Sequence, residues 1–75
     1  MNTADYAEQA REIKERGWKA YKLHPPGDPA FDIQAYRACR EAVGPEFKLM
    51  SDPVAAYSFE QALKIGRELE RLDYH

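Results

Sequence analysis

Two periods take turns along this chain. From Trp18 to Leu23 the side chains switch face at every residue, with Lys19, Tyr21 and Leu23 on one side and Trp18, Ala20, Lys22 and His24 on the other, the two-residue period of a strand. Phe47 to Ser51 repeats the pattern, placing Phe47, Leu49 and Ser51 on one face and Lys48, Met50 and Asp52 on the other. Three further segments carry helical spacing. The first is charged and amphipathic, with Thr3 as its expected N-cap, Asp5 in its first turn, Lys14 and Arg16 in its last, and Gly17 as C-cap. The second brings Ile33, Tyr36, Cys39 and Val43 onto one face, takes Asp28 or Asp32 as its cap, and stops at Gly44-Pro45. The third opens on a Ser58/Gln61 capping box and carries a stripe of Ala62, Ile65, Leu69 and Leu72, with Gly66 placed for close approach to a neighbour.

The order is therefore αβαβα. Pro25-Pro26-Gly27-Asp28-Pro29 fits neither a strand nor a helix interior and reads as a rigid loop. Strands joined through helices pair in parallel with right-handed crossovers. With Tyr21, Leu23, Phe47 and Leu49 packed under three helices on one side, the parity of both strands puts Lys22, His24 and Asp52 together on the opposite, open face. Parallel sheets are normally covered on both faces and closed at their edges. Two strands cannot do this alone, so the expected fold is an αβαβα fragment of a (β/α)8 barrel, residues 1–75 forming one partial barrel domain. Its completion is expected from missing barrel strands, from oligomerisation or from domain swapping. A loose repeat of helix, glycine, strand and proline loop, about thirty residues long, agrees with successive units of such a barrel.

Composition narrows the function. Seventy-five residues with a net charge of -2 and no basic block make one small domain, near the limit for an independent core, and argue against a nucleic-acid partner. A single cysteine, Cys39, excludes an internal disulfide and any CxxC motif. With no apolar run of membrane-spanning length and no signal-like N-terminus, the expected location is the cytoplasm. The aromatics Tyr6, Trp18, Tyr36, Phe47, Phe59 and Tyr74 are expected to serve packing or interfaces, since no basic groove accompanies them.

Several runs carry a family resemblance: Gly17-Trp18-Lys19-Ala20-Tyr21-Lys22-Leu23-His24, then Asp32, Arg40-Glu41-Ala42-Val43-Gly44-Pro45 and Leu49-Met50-Ser51-Asp52. Together they resemble the mandelate racemase/muconate lactonizing enzymes of the enolase superfamily, over essentially the whole chain. The resemblance implies the span from the first barrel helix through the helix after the third barrel strand, about a quarter of such an enzyme. It implies magnesium, a carboxylate-bearing substrate and abstraction of the proton alpha to that carboxylate, of the acid-sugar dehydratase or racemase type. Lys22 matches the first lysine of the family's Lys-x-Lys pair, and Asp52 matches the first metal ligand. His24 replaces the second lysine, the usual base; imidazole titrates near neutrality and can take that role. Pro53-Val54 departs from the family's frequent Ala-Asn and bears on substrate contacts. The sequence ends where the family would enter its fourth strand with a Glu-Glu-Pro motif.

Magnesium prefers six oxygen ligands, so Asp52 alone is expected to hold it weakly or not at all, and the isolated chain is expected to be inactive. The plain alternatives are a solvated strand-end lysine at Lys22, a loop histidine at His24, a turn-starting aspartate at Asp52 and a frayed terminus at His75. A rival reading of the whole is a non-catalytic, self-assembling homo-oligomeric module whose Trp18, Ala20 and Met50 pack against their copies.

Overall fold

A computed structural model describes residues 2–52 and 57–75. Its elements are α1 (Thr3–Glu15), β1 (Ala20–Leu23), α2 (Pro29–Val43), β2 (Lys48–Ser51) and α3 (Phe59–Arg71). The strands pair in parallel, Tyr21 opposite Leu49 and Leu23 opposite Ser51. The Asp52 amide extends the ladder by one bond, donating to the Leu23 carbonyl at 3.0 Å. The expected order, pairing and sidedness are all present.

The core lies between the sheet and the helices. Leu23 and Leu49 are fully buried beneath Tyr6 and Ala10 of α1, Ile33, Ala35, Tyr36, Cys39 and Val43 of α2, and Ile65 of α3, with Phe47 at the edge. Burial pushes the Cys39 thiol up to about 12, so it is a packing residue with negligible thiolate at neutral pH. Pro25 is also fully buried, which anchors the start of the rigid loop.

Two boundaries and two packing details differ from the sequence expectation. Asn2, not Thr3, caps α1: its side chain accepts the Asp5 amide at 2.9 Å, and the Asp5 carboxylate accepts the Asn2 amide at 2.9 Å. The acidic partner needed three residues downstream exists for Asn2 and is absent for Thr3. The first strand starts at Ala20 because Gly17 and Trp18 are committed to ending α1. Gly17, at φ +89°, donates to the Lys14 carbonyl, and Trp18 donates to that of Ile13, a paired closure that requires a left-handed residue at the glycine position. In α3 only Ile65 is buried, Ala62 is exposed, and Leu69 and Leu72 are half-buried. Gly66 meets nothing within 4 Å of the place a Cβ would occupy, so no close approach depends on it among the described residues.

Two long-range ties fasten α3. Arg37 Nε donates to Glu68 at 2.7 Å and Arg71 donates to the same carboxylate at 2.5 Å. Hydrogen bonds from Arg71 and then Arg37 hold the Glu68 carboxyl down at about 2. A depressed carboxylate adds stability that is present above its ordinary value of 4.5 and is lost as pH falls toward about 2. Glu68→Gln should therefore flatten acid denaturation across that window. The effect should be small and should fade in high salt because both arginines are exposed; thermal melts against pH at two salt concentrations measure it.

The second tie is Arg40. Its guanidinium donates to the carbonyls of Leu72 (2.8 Å), Gly44 (2.9 Å), Phe47 (2.6 Å) and Asp73 (2.9 Å) and lies over the Tyr74 ring. Tyr74 in turn donates to the Tyr36 carbonyl at 2.7 Å. The chain is thus led back to the sheet, where the His75 amide donates to the Leu49 carbonyl at 2.8 Å. His75 is not frayed: its backbone pairs with the edge of β2 away from β1.

Candidate active site

The parity of two strands brings the candidate residues together. Lys22 faces Met50 across the ladder, on the side opposite the buried Leu23 and Leu49. Two residues further along each chain, just past the carboxyl ends of β1 and β2, stand His24 and Asp52, and His24 Nδ1 lies 3.1 Å from Asp52 Oδ2. Both side chains are more than half exposed. Lys22 is exposed and has no hydrogen-bonding or ionic partner among the described residues. The open face therefore presents an ammonium group and an imidazole–carboxylate pair. The residues Pro53-Val54 lie outside the described residues.

The contact between His24 and Asp52 orients both groups. When the imidazole is neutral and protonated at Nδ1, its N–H donates to the carboxylate and leaves Nε2 as a free base. The carboxylate in turn keeps an oxygen for another donor or a cation. The donor chemistry suits a hard divalent ion at Asp52, because carboxylate oxygen is the ligand type such ions prefer. It supplies one position only: no group of three or more His, Cys, Asp or Glu side chains is clustered among the described residues. Ser51 adds no ligand, since its Oγ turns toward the helices and bonds Tyr36 Oη at 2.6 Å. Asp52 fits as one member of a ligand set whose other carboxylates come from elsewhere in a barrel.

Beneath the site lies a polar pair that sequence reasoning treated otherwise. Asp32, expected as one of two possible caps of α2 and as part of the family resemblance, is fully buried. Its carboxylate accepts the Gly27 amide at 3.1 Å and the Tyr57 hydroxyl. Burial raises its pKa, and the bonds from Tyr57 and Gly27 pull it part of the way back. Tyr57 is raised as well, first by burial and then by its bond to the carboxylate, so it is a donor at any ordinary pH. Asp28 occupies the N-cap position without a side-chain capping bond. The available signal was the i, i+4 spacing of Asp32 and Tyr36, which puts a carboxylate on the same helix face as the apolar stripe.

Residues 5–75 match the model of the enolase C-terminal domain-like family. The chain belongs to that family. This is the mandelate racemase/muconate lactonizing enzyme family of the enolase superfamily that the resemblance implied, and the chain is a fragment of it. Arabinonate dehydratase from Saccharolobus solfataricus is 46% identical over 41 residues, which are 55% of this chain and 11% of that protein. The D-glucarate dehydratase of Agrobacterium tumefaciens, solved in complex with magnesium, superposes with a TM-score of 0.88 at 40% identity, over 97% of this chain and 21% of its own. The 3,6-anhydro-D-galactonate cycloisomerase of Zobellia galactanivorans gives 0.85 at 30% identity, over 96% of this chain and 20% of its own. The chain thus spans about a tenth of the curated relative and about a fifth of the solved ones. The α/β unit of two parallel strands and three helices is a section of an enolase-superfamily barrel. No helix among the described residues is long and apolar enough to cross a membrane.

Proposed function

We propose that these residues are one partial barrel domain of a magnesium-dependent acid-sugar dehydratase or racemase that removes the proton alpha to a carboxylate. In this reading His24 is the base, Lys22 faces the substrate carboxylate and Asp52 is a metal ligand. The observation that carries it is the convergence of His24 and Asp52, 3.1 Å apart at adjacent strand ends, on the face that also holds Lys22. Two dehydratases and a cycloisomerase among the relatives, one of the dehydratases in complex with magnesium, support the substrate class and the ion.

The chemistry assigns each group a task. Magnesium, when bound, withdraws charge from the substrate carboxylate. His24 Nε2 accepts the alpha proton and its Nδ1–H stays on Asp52, so the developing imidazolium is held beside a negative charge. The Lys22 ammonium lies on the same face and neutralises the second carboxylate oxygen. In a dehydratase the electron pair released at the alpha carbon expels the neighbouring hydroxyl, which takes a proton from the His24 imidazolium and leaves as water. In a racemase His24 keeps the abstracted proton and an acid on the opposite face, contributed from outside these residues, delivers another to the alpha carbon.

The 75 residues alone supply one metal ligand and one open face of a site, so they should not turn over. The test is to graft them in place of the matching segment of the Agrobacterium enzyme and follow exchange of the substrate alpha proton with deuterium by NMR. Exchange should depend on magnesium, fall by about a thousandfold or more in His24→Asn and fall at least tenfold in Lys22→Met. Exchange that persists in His24→Asn would overturn the assignment of the base.

A second reading follows from the open sheet. Ala20 and Met50 on that face are only half-buried, and Trp18 is 66% exposed, so another body is needed to cover them. Further barrel strands do so in the reading above. A homo-oligomer completed by exchange of barrel elements is the alternative, and would be non-catalytic. Light scattering over a hundredfold range of concentration separates them: the second reading requires an oligomer whose melting temperature falls on dilution.

A further inference from the structure

We propose that Asp32 and Tyr57 form a clasp that positions the candidate site, joining the loop that leaves β1 to the segment that leaves β2 and so setting the spacing of His24 and Asp52. The proposal rests on the preceding reading only in taking those two residues as the site.

Asp32 is the one charged side chain fully buried among the described residues. A carboxylate removed from water is costly unless its lone pairs are filled, and here the donors come from two separate loops. Gly27 follows His24 by three residues, and its amide donates at 3.1 and 3.4 Å to the two oxygens. Its φ of +103°, a conformation that favours glycine, lets the chain continue toward Asp28 from that bonded amide. Tyr57 follows Asp52 by five residues, and its hydroxyl donates to the same carboxylate. One helix turn further along α2, Tyr36 holds the Ser51 hydroxyl at 2.6 Å, directly before Asp52. Neighbouring positions on one helix face therefore grip both chain segments that carry the site. None of these groups reaches the open face, so Asp32, Tyr57 and Tyr36 are positioning residues.

A role confined to capping α2 predicts something different. In that case Asp32 would need only the Gly27 amide and the helix terminus, and loss of the Tyr57 hydroxyl would leave Asp52 undisturbed.

The test is amide hydrogen exchange and NOE measurement on the 75-residue chain, without metal or substrate. Tyr57→Phe should speed exchange at Asp52, whose amide bonds Leu23, by about tenfold. It should also weaken the NOE between the His24 ring and the Asp52 methylene, while amides in α1 keep wild-type rates. Asp32→Ala should speed Gly27 and Asp52 together, and adding Tyr57→Phe to it should change little more, because both remove one shared bond. Uniform acceleration across the chain would overturn the proposal in favour of a purely structural role. So would faster exchange at Gly27 with Asp52 and the NOE unchanged. If Asp32→Ala does not fold, Tyr57→Phe, which deletes a single oxygen, decides the matter. Because nothing here depends on turnover, failure of the clasp leaves the proposed chemistry standing, and failure of the chemistry leaves the clasp testable.

Discussion

Tyr36→Ala should leave the chain largely unfolded at room temperature. Tyr36 has no exposed surface, sits edge-on to Tyr74 with ring centroids 5.1 Å apart, and bonds Ser51 at 2.6 Å. Truncating a buried aromatic ring typically removes about 3–5 kcal/mol, and a single core of this size seldom supplies more than about 3–5 kcal/mol in total. The two figures are comparable, so the variant lies at or past its midpoint without denaturant. Tyr36→Phe keeps the ring and loses only the hydroxyl, a change of about 1 kcal/mol, and should stay folded with a lower urea midpoint. Far-ultraviolet circular dichroism is the suitable probe, since Trp18 is already 66% exposed in the native chain and its fluorescence reports little of unfolding. A Tyr36→Ala variant that melts like wild type would mean that the core is not centred on α2.

Arg40→Met should be the next most damaging change. The methionine keeps the packed stem but removes donors to four carbonyls belonging to the end of α2, the approach to β2 and the end of α3. Hydrogen bonds from a charged donor contribute roughly 1.5–3 kcal/mol each when deleted singly. These four share one guanidinium and are not additive, so a total near 3 kcal/mol is expected. The damage should also have a direction. Leu72, Asp73 and Tyr74 lose their anchor, so the His75 amide should lose its protection against exchange before the β1–β2 ladder does. Arg40→Lys should recover little, because one ammonium cannot reach carbonyls spread over both sides of a planar fork. Equal protection at His75 in wild type and Arg40→Met would show that the terminal segment is held by Tyr74 alone.

What could be read without coordinates was whatever a short window encodes. The alternation in Trp18–Leu23 and Phe47–Ser51 placed Leu23 and Leu49 under the helices, and the same parity put Lys22, His24 and Asp52 on one face. Gly44-Pro45 and the Ser58/Gln61 box marked ends that the structure keeps. The start of β1 was misplaced by two residues because the backbone of Trp18 was already bonded to Ile13, a helix-end commitment that side-chain alternation does not register. The contact of 3.1 Å between His24 and Asp52 needed the register of Leu23 against Ser51, which neither strand specifies alone. Asp32 and Arg40 were hidden for a related reason. Each looks like an ordinary polar helix residue, and the partners that define its role, Tyr57 for one and Leu72 and Asp73 for the other, lie 25 to 33 positions away.

The account turns on Asp52 as a metal ligand supported by an adjacent His24. Its most direct test is a calorimetric titration of manganese, as a magnesium substitute, into the Agrobacterium D-glucarate dehydratase carrying these 75 residues in place of its own matching segment, with and without Asp52→Asn. The account predicts saturable binding that weakens at least tenfold in Asp52→Asn while the fold is unchanged. Equal affinity in the two proteins would contradict it, and would leave the His24–Asp52 pair as a strand-end contact with no part in the chemistry.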